Sequence, residues 1–218
     1  RPGRRLDRPD QRAAARLVAA GDAIVAVGPP PRFVSRGGEK LAAALDRFGV
    51  VVAGRRAIDA GASTGGFTDC LLQAGASRVV AIDVGRNQLH ERLRADPRVD
   101  SRERTDIRSV DPASIGGVAP LLVADLSFIS LRTVAEPVLR CAADGADLVV
   151  LVKPQFEAER DEVTAGRGVI TDPEVWRRSL ADAADALSGA GAAIMSAMVT
   201  PLHGADGNVE FFLHLRTP

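Results

Sequence analysis

Short apolar segments alternate with amphipathic helical segments along most of this 218-residue chain. Such alternation is typical of a mostly parallel sheet that carries helices on both faces. The predicted strands are 57–61, 78–83, 99–103, 121–125, 146–153, 192–199 and 209–215, and the main predicted helices are 40–48, 67–74, 87–94, 131–142 and 173–189. Because no helix separates the last two strands, we expect them to form an antiparallel pair at one edge. The sequence thus predicts an α/β, Rossmann-like fold with a seven-stranded sheet and an antiparallel edge strand.

A stiff Gly-Pro-Pro-Pro segment at 28–31 separates a short N-terminal segment, 1–31, from a main domain, 32–218. The N-terminal segment is predicted to hold a helix at 11–20 and a strand at 23–27. Residues 1–56 contain 12 basic and five acidic side chains, whereas the whole chain has no net charge. This asymmetry fits an electrostatic contact with a polyanion such as RNA. It also fits a solvated arginine-rich tail.

Composition excludes several classes of protein. No apolar run approaches the roughly 20 residues of a membrane span, and the N-terminus has no signal-peptide pattern. Cys70 and Cys141 are too few for a disulfide framework or a metal centre, so we expect buried free thiols. These features predict a cytoplasmic protein with no metal and no membrane partner.

A glycine-rich loop at 59–67 follows the first predicted strand and opens a helix. Its glycine spacing fits neither the dinucleotide fingerprint nor a phosphate-binding loop. Asp83 ends the next strand, where a carboxylate can accept hydrogen bonds from the ribose hydroxyls of a nucleoside. Asp125 ends the fourth strand. Together these features predict a site for S-adenosylmethionine (SAM), although a cluster of turn glycines beside a surface acid would produce a similar pattern.

Lysine is nearly absent. Of 28 lysine and arginine side chains, only Lys40 and Lys153 are lysines. Arginine stays charged near neutral pH, whereas a lysine can lose its proton when it is desolvated or close to another cation. Lys153 ends the apolar fifth strand, and Lys40 opens the first predicted helix. A site that needs a neutral amine would retain lysine where arginine replaces it elsewhere.

Two carboxylates, Asp125 and Glu210, complete a candidate catalytic set with Lys40 and Lys153. The set resembles the Lys-Asp-Lys-Glu tetrad of the FtsJ-type ribose 2′-O-methyltransferases. Four longer strings are similar to the TlyA (haemolysin A) branch of that family: VSRG at 34–37, DAGASTGGFT at 59–68, DLSFIS at 125–130 and VKPQFE at 152–157. The resemblance covers residues 33–217. It implies a SAM-dependent methyltransferase with a Rossmann-like fold, acting on cytidine 2′-hydroxyls of ribosomal RNA.

The chemistry assigns each member of the set a role. A ribose hydroxyl is a poor nucleophile at neutral pH and needs a base during methyl transfer. Lys153 is the expected base, because like-charge repulsion from Lys40 and desolvation lower its proton affinity. Asp125 and Glu210 would orient the two ammonium groups and balance their charge. Each of the four residues could instead belong to a structural ion pair.

Further expectations complete the interpretation. The expected cofactor-binding residues are Gly61, Ser63, Gly65, Gly66, Phe67, Asp83, Val84, Asp106 and Asp125. The family resemblance implies a complete N-terminal RNA-binding module, of which 1–31 would match only the last part. The segment 156–171 is predicted to be a mobile loop over the acceptor site. A small-molecule O-methyltransferase is the main alternative, and a membrane-active haemolysin is disfavoured by the absence of an apolar span.

Overall fold

The computed structural model describes residues 30–218, of which residues 32–218 form one compact unit. The helix predicted at 11–20 and the strand predicted at 23–27 lie outside the described residues. Within them the alternation of strands and helices is confirmed.

Seven strands form one sheet in the order β3-β2-β1-β4-β5-β7-β6. The strands are β1 (Arg56–Ala60), β2 (Arg78–Ile82), β3 (Val99–Arg102), β4 (Ala119–Ala124), β5 (Ala142–Val152), β6 (Ala193–Val199) and β7 (Phe211–Arg216). β1 to β5 pair in parallel, whereas β7 pairs antiparallel with both β5 and β6. The predicted antiparallel pair therefore closes one end of the sheet, but the antiparallel strand itself lies one place in from the edge, which β6 forms.

Helices cover both faces of the sheet. They are α1 (Arg36–Phe48), α2 (Gly66–Gln73), α3 (Glu91–Arg94), α4 (Leu131–Arg140), α5 (Pro154–Glu157), α6 (Arg160–Ala165) and α7 (Pro173–Gly189), with two 3₁₀ turns at Ile107–Ser109 and Pro112–Ile115. α1 and α2 pack together over one face, and α4 and α7 pack over the other. Two apolar clusters separated by the sheet result, and their burial provides most of the driving force for folding.

α1 begins at Arg36, four residues before the predicted start, and two glycines lie in its first turn. Glycine lowers helix propensity, so the sequence pattern placed the start after them. Packing requires the glycine at position 38, where an added Cβ would lie 2.3 Å from Cγ of Phe33. α1 therefore lies close to the preceding chain, and the early start places Lys40 in its second turn.

The segment 156–171, predicted to be a mobile loop, is partly helical in the structure. α6 lies within this segment, and its Glu162 accepts hydrogen bonds from the guanidinium of Arg178 on α7. The Trp176 indole N–H donates to the backbone oxygen of Ile170 at 2.9 Å, and Ile170 N donates to Asn208 Oδ1 at 2.9 Å. The charged and glycine-rich composition predicted a loop, whereas the segment contains a helix and forms hydrogen bonds with residues outside it.

Candidate active site

The strand ends bring the predicted residues together. In a parallel sheet the carboxyl ends of neighbouring strands share one edge, where ligands of α/β proteins bind. The glycine loop follows β1, Asp83 follows β2, Asp125 follows β4 and Lys153 follows β5. At Gly61, with φ of 88°, an added Cβ would lie 2.3 Å from the backbone oxygen of Asp125. Only glycine allows the loop to approach the end of β4 so closely.

The larger of two cavities at this edge has a volume of about 420 Å³. Six of the nine expected cofactor residues line it, together with apolar side chains that suit an adenine ring. Its lining includes Gly61, Ser63, Asp83, Val84, Gln88, Thr105, Asp106, Ile107, Arg108, Asp125, Leu126, Ser127, Phe128 and Ile129. The cavity is thus of the size and polarity expected for a nucleoside-containing cofactor.

Asp83 is fixed by the backbone around it. Its Oδ2 accepts a hydrogen bond from Ser63 N, and its Oδ1 accepts one from Gly85 N, both at 2.7 Å. A carboxylate oxygen can accept two hydrogen bonds, so each oxygen retains capacity for a ligand hydroxyl. Asp83 is therefore held in place by two backbone N–H groups and can accept further hydrogen bonds.

The smaller cavity, of about 250 Å³, contains the four residues of the candidate catalytic set. It shares Gly61, Ser63 and Asp125 with the larger cavity, so the two spaces meet at Asp125. Its lining also includes Ser35, Arg36, Gly37, Lys40, Ala62, Thr64, Gly66, Phe67, Lys153, Ala205 and Glu210. A methyl donor in the larger cavity and an acceptor in the smaller one would meet at this junction.

The two lysines form separate ion pairs. Lys40 Nζ lies 2.5 Å from Glu210 Oε2, and the two side chains are only 9% and 3% exposed. Lys153 Nζ lies 2.5 Å from Asp125 Oδ1, and those side chains are 11% and 25% exposed. Lys153 also donates a hydrogen bond to Ser127 Oγ at 2.8 Å, whereas its contact with Asp125 Oδ1 lies outside hydrogen-bond geometry. The contact between Lys153 and Asp125 is therefore an ion pair without a hydrogen bond.

Each ammonium group therefore has one carboxylate beside it, Glu210 for Lys40 and Asp125 for Lys153. Glu210 also precedes β7 instead of lying within it, one residue before Phe211. Its backbone oxygen accepts a hydrogen bond from Thr200 N at 2.9 Å, which holds the segment between β6 and β7 against the cavity.

A further carboxyl group, that of Asp59, lies in the strand that leads into the glycine loop. Asp59 is fully buried in β1, and its Oδ2 accepts a hydrogen bond from the Thr68 hydroxyl at 2.6 Å. The pKa of Asp59 is raised to about 7, mainly by burial; hydrogen bonds from Thr68 oppose this shift, and the nearby charges of Asp125 and Asp83 add to it. Its Oδ1 has no hydrogen-bond partner in the described structure.

An exposed aromatic residue flanks the junction of the cavities. Phe128 is 91% exposed and adopts a left-handed backbone conformation, with φ of 62°. Its ring centroid lies 5.1 Å from that of Phe156, and Lys153 Nζ lies 5.8 Å from the Phe156 centroid. A bulky residue with positive φ is strained, and such strain is concentrated at functional sites. Sequence reasoning missed Phe128, although it falls within the DLSFIS string.

Three expected cofactor residues lie elsewhere. Gly65 lines neither cavity and instead packs against Leu93, whose Cδ1 would lie 2.3 Å from an added Cβ. Phe67 is almost fully buried and packs against Phe212, with ring centroids 6.0 Å apart. Gly66 and Phe67 line only the smaller cavity. The residues of the loop are thus divided between the larger cavity, the smaller cavity and the core. The spacing of the glycines alone does not reveal this division.

Comparison with known protein families accounts for this arrangement. The family model described as FtsJ-like methyltransferase matches residues 33–217, nearly the whole described chain. The chain belongs to the FtsJ-like methyltransferase family. It is therefore a methyltransferase, and the expected cofactor is SAM.

Several named proteins are similar to this FtsJ-like methyltransferase. "16S/23S rRNA (cytidine-2'-O)-methyltransferase TlyA" from Mycobacterium tuberculosis is 52% identical over 185 residues, covering 85% of this chain and 69% of the relative. "Hemolysin A" from Brachyspira hyodysenteriae is 40% identical, covering 84% and 76%. A solved structure from Streptococcus thermophilus, titled "Putative hemolysin", is 40% identical with a TM-score of 0.83, covering 87% and 69%. The resemblance to the TlyA branch is confirmed.

More distant structures support the fold. The N-methyltransferase NodS from Bradyrhizobium japonicum, in complex with S-adenosyl-L-homocysteine, superposes with a TM-score of 0.59 at 17% identity, covering 85% of this chain and 89% of that one.

Among residues 30–218, no helix is long and apolar enough to cross a membrane, and no cluster of metal-binding side chains occurs. Cys70 and Cys141 are buried and unpaired, as predicted.

Proposed function

We propose that this FtsJ-like methyltransferase transfers the methyl group of SAM to a cytidine 2′-hydroxyl in ribosomal RNA. The observation that carries the proposal is the smaller cavity, which we name the acceptor cavity. It contains both lysine–carboxylate pairs and meets the larger cavity, the cofactor cavity, at Asp125. The relatives named for methylation of rRNA cytidine support the choice of acceptor. An enzyme with this substrate would act in the cytoplasm.

In the proposed reaction, Lys153 is the base. SAM supplies a methyl group that its sulfonium charge already activates. As the ribose oxygen bonds to that methyl carbon and the carbon–sulfur bond breaks, neutral Lys153 Nζ accepts the hydroxyl proton and S-adenosylhomocysteine is released. Asp125 and Ser127 hold Lys153 Nζ at the junction of the cavities. Most of the remaining rate enhancement would come from in-line positioning.

The other residues at the junction would hold the cofactor and the acceptor nucleotide. Asp83 would bind the cofactor ribose, and the apolar lining of the larger cavity would enclose its adenine. Phe128 and Phe156 present an aromatic surface beside Lys153 on which an unstacked base can stack. Arg36, which is exposed and lines the acceptor cavity, is positioned for a phosphate contact.

The direct test is transfer of tritiated methyl from SAM to isolated ribosomal subunits, taken from a strain that lacks this modification. A metabolite extract from the same strain provides the small-molecule control. We expect label in ribosomal RNA, at a cytidine whose 3′-phosphodiester bond has become resistant to alkaline cleavage because its 2′-oxygen is methylated. Label in the metabolite extract with none in RNA would refute the proposed acceptor while leaving the methyltransferase activity intact.

The basic residues at 1–56 provide a second test. If they contact RNA, binding should weaken steeply between low and physiological salt, since neutralised phosphates release counterions. Removing residues 1–31 should flatten this dependence without changing SAM affinity, because Asp83 and the glycine loop lie in residues 32–218. Unchanged salt dependence after the deletion would exclude this segment as an RNA contact.

A further inference from the structure

A buried carboxylate outside both cavities links the two loops that carry the Lys153–Asp125 pair. The first loop, 125–130, follows β4 and holds Asp125 and Ser127. The second loop, 153–157, begins with Lys153 after β5 and includes the one-turn helix α5. Glu157 ends α5, is only 4% exposed and lines neither cavity. Its position suits a structural link between the loops and excludes direct contact with the reacting groups.

The contacts of Glu157 cross from one loop to the other. Its Oε1 accepts a hydrogen bond from the backbone N–H of Leu131 at 2.7 Å, and its Oε2 accepts one from the Ser130 hydroxyl at 2.5 Å. The Arg132 guanidinium donates to the backbone oxygen of Glu157 at 3.0 Å. The carboxylate thus sits at the N-terminus of α4, where the helix dipole favours a negative charge.

On the cavity side, the same two loops meet again. Lys153 contacts Asp125 and Ser127, and Phe156 contacts Phe128. Phe128 has a strained backbone, which persists only where surrounding contacts hold it. The hydrogen bonds of Glu157 supply such contacts within three residues of Phe128. Without them, the first loop could relax away from Lys153.

We propose that Glu157 is a positioning residue that fixes the loop of Asp125 against the loop of Lys153 and so sets the geometry of the proton acceptor. This inference rests on the proposed function for its kinetic consequence, but its structural consequence does not depend on the acceptor. A misplacement of about 1 Å can cost up to roughly 100-fold in rate. The Glu157→Gln substitution keeps the side-chain shape and one acceptor oxygen, but its amide nitrogen cannot accept from Ser130. We expect kcat to fall about tenfold.

The scarcity of lysine provides a readout that does not depend on the acceptor. Full-length protein labelled with [¹³Cε]lysine gives two NMR signals, assigned by Lys40→Arg and Lys153→Arg. We expect Glu157→Gln to shift the Lys153 signal and to leave the Lys40 signal unchanged, because Lys40 pairs with Glu210 on other elements. If Glu157→Gln prevents folding, Ser130→Ala removes a single hydrogen bond to Glu157 and should shift the Lys153 signal less.

Asp111→Asn is the matched control, because Asp111 also caps a helical turn, at Ala113 N, and lines neither cavity. It should move neither lysine signal. An unchanged Lys153 signal in a folded Glu157 variant, or equal shifts of both lysine signals, would overturn the positioning role. Lack of wild-type activity on ribosomal subunits would refute the proposed acceptor without affecting this result.

Discussion

The two lysine–carboxylate pairs line one cavity but differ in their surroundings. The Lys40–Glu210 pair is closed, with both side chains at most 9% exposed. The Lys153–Asp125 pair is open, because Asp125 is 25% exposed and borders the cofactor cavity. Lys153 has a second partner in Ser127, whose oxygen can remain bonded when the ion pair changes. The closed pair is thus largely shielded from solvent, whereas Asp125 of the open pair lines both cavities.

This difference is a consequence of topology. Lys153 and Asp125 follow adjacent parallel strands, so their pair forms at the sheet edge where ligands bind. Lys40 lies on α1, and Glu210 precedes the antiparallel strand β7, so their pair joins elements 170 positions apart in the chain. Because burial makes an unpaired charge expensive, removing one partner of the closed pair should cost more stability than removing one partner of the open pair.

The largest expected effect is on stability, from breaking the closed pair. Glu210→Gln would leave the buried ammonium of Lys40 without a compensating charge, and we expect the free energy of unfolding to fall by about 3–5 kcal/mol. Asp125→Asn should cost about 1 kcal/mol or less, since Lys153 retains Ser127 and partial access to solvent. Urea denaturation of both variants measures the difference. Equal losses would contradict the distinction between a closed and an open pair.

The next effect is on turnover, from altering the open pair. Lys153→Arg keeps the charge and most of the bulk but cannot accept a proton at neutral pH. We expect kcat to fall by roughly 100-fold or more, which corresponds to about 2.7 kcal/mol in the barrier. SAM affinity and the unfolding midpoint serve as controls and should change little. A rate close to that of wild type would exclude Lys153 as the base and leave it a role in positioning.

Much of this site was predictable from the sequence because parallel strands place their carboxyl ends together. The strand ends therefore predicted where Asp83, Asp125 and Lys153 lie, and the family resemblance pointed to Lys40 and Glu210, which line the same cavity as Lys153. The sequence did not reveal which lysine pairs with which acid, since pairing depends on how α1 packs on α2 and on where β7 inserts.

Other features depended on contacts between residues far apart in the chain. The strained conformation of Phe128 and the long-range bonds of Glu157 leave no mark on periodicity or composition. The ordering of 156–171 likewise required Arg178 and Asn208, from outside that segment. In each case the deciding contacts join residues that are far apart in the chain. A search for local sequence patterns does not detect such contacts.

A third prediction separates both pairs from cofactor binding. Asp83→Ala removes the carboxylate that we propose binds the cofactor ribose, so SAM binding should weaken by about 1.5–3 kcal/mol, or roughly 10-fold to 100-fold. Lys40→Arg and Lys153→Arg should leave that affinity nearly unchanged, because neither lysine lines the larger cavity. Isothermal titration calorimetry with SAM measures all three. An unchanged affinity in Asp83→Ala would remove Asp83 from the cofactor site.

The smallest expected effect is on turnover, from a conservative change in the closed pair. Lys40→Arg keeps the positive charge beside Glu210, and an arginine can form the same ion pair through its guanidinium. If Lys40 need only remain charged, kcat should fall by about tenfold at most, mainly because the larger head group disturbs a buried site. Single-turnover methylation of ribosomal subunits measures the rate separately from binding.

The comparison between Lys40→Arg and Lys153→Arg tests the assignment of roles most directly, since both substitutions are chemically identical. A loss in Lys40→Arg as large as that in Lys153→Arg, in a protein that still binds SAM with normal affinity, would mean that Lys40 must also change its protonation state. The base would then be shared between the two lysines, and burial would not divide the tetrad into a structural pair and a reactive pair. A clear difference between the two variants would assign proton transfer to the open pair, because charge and size change equally in both.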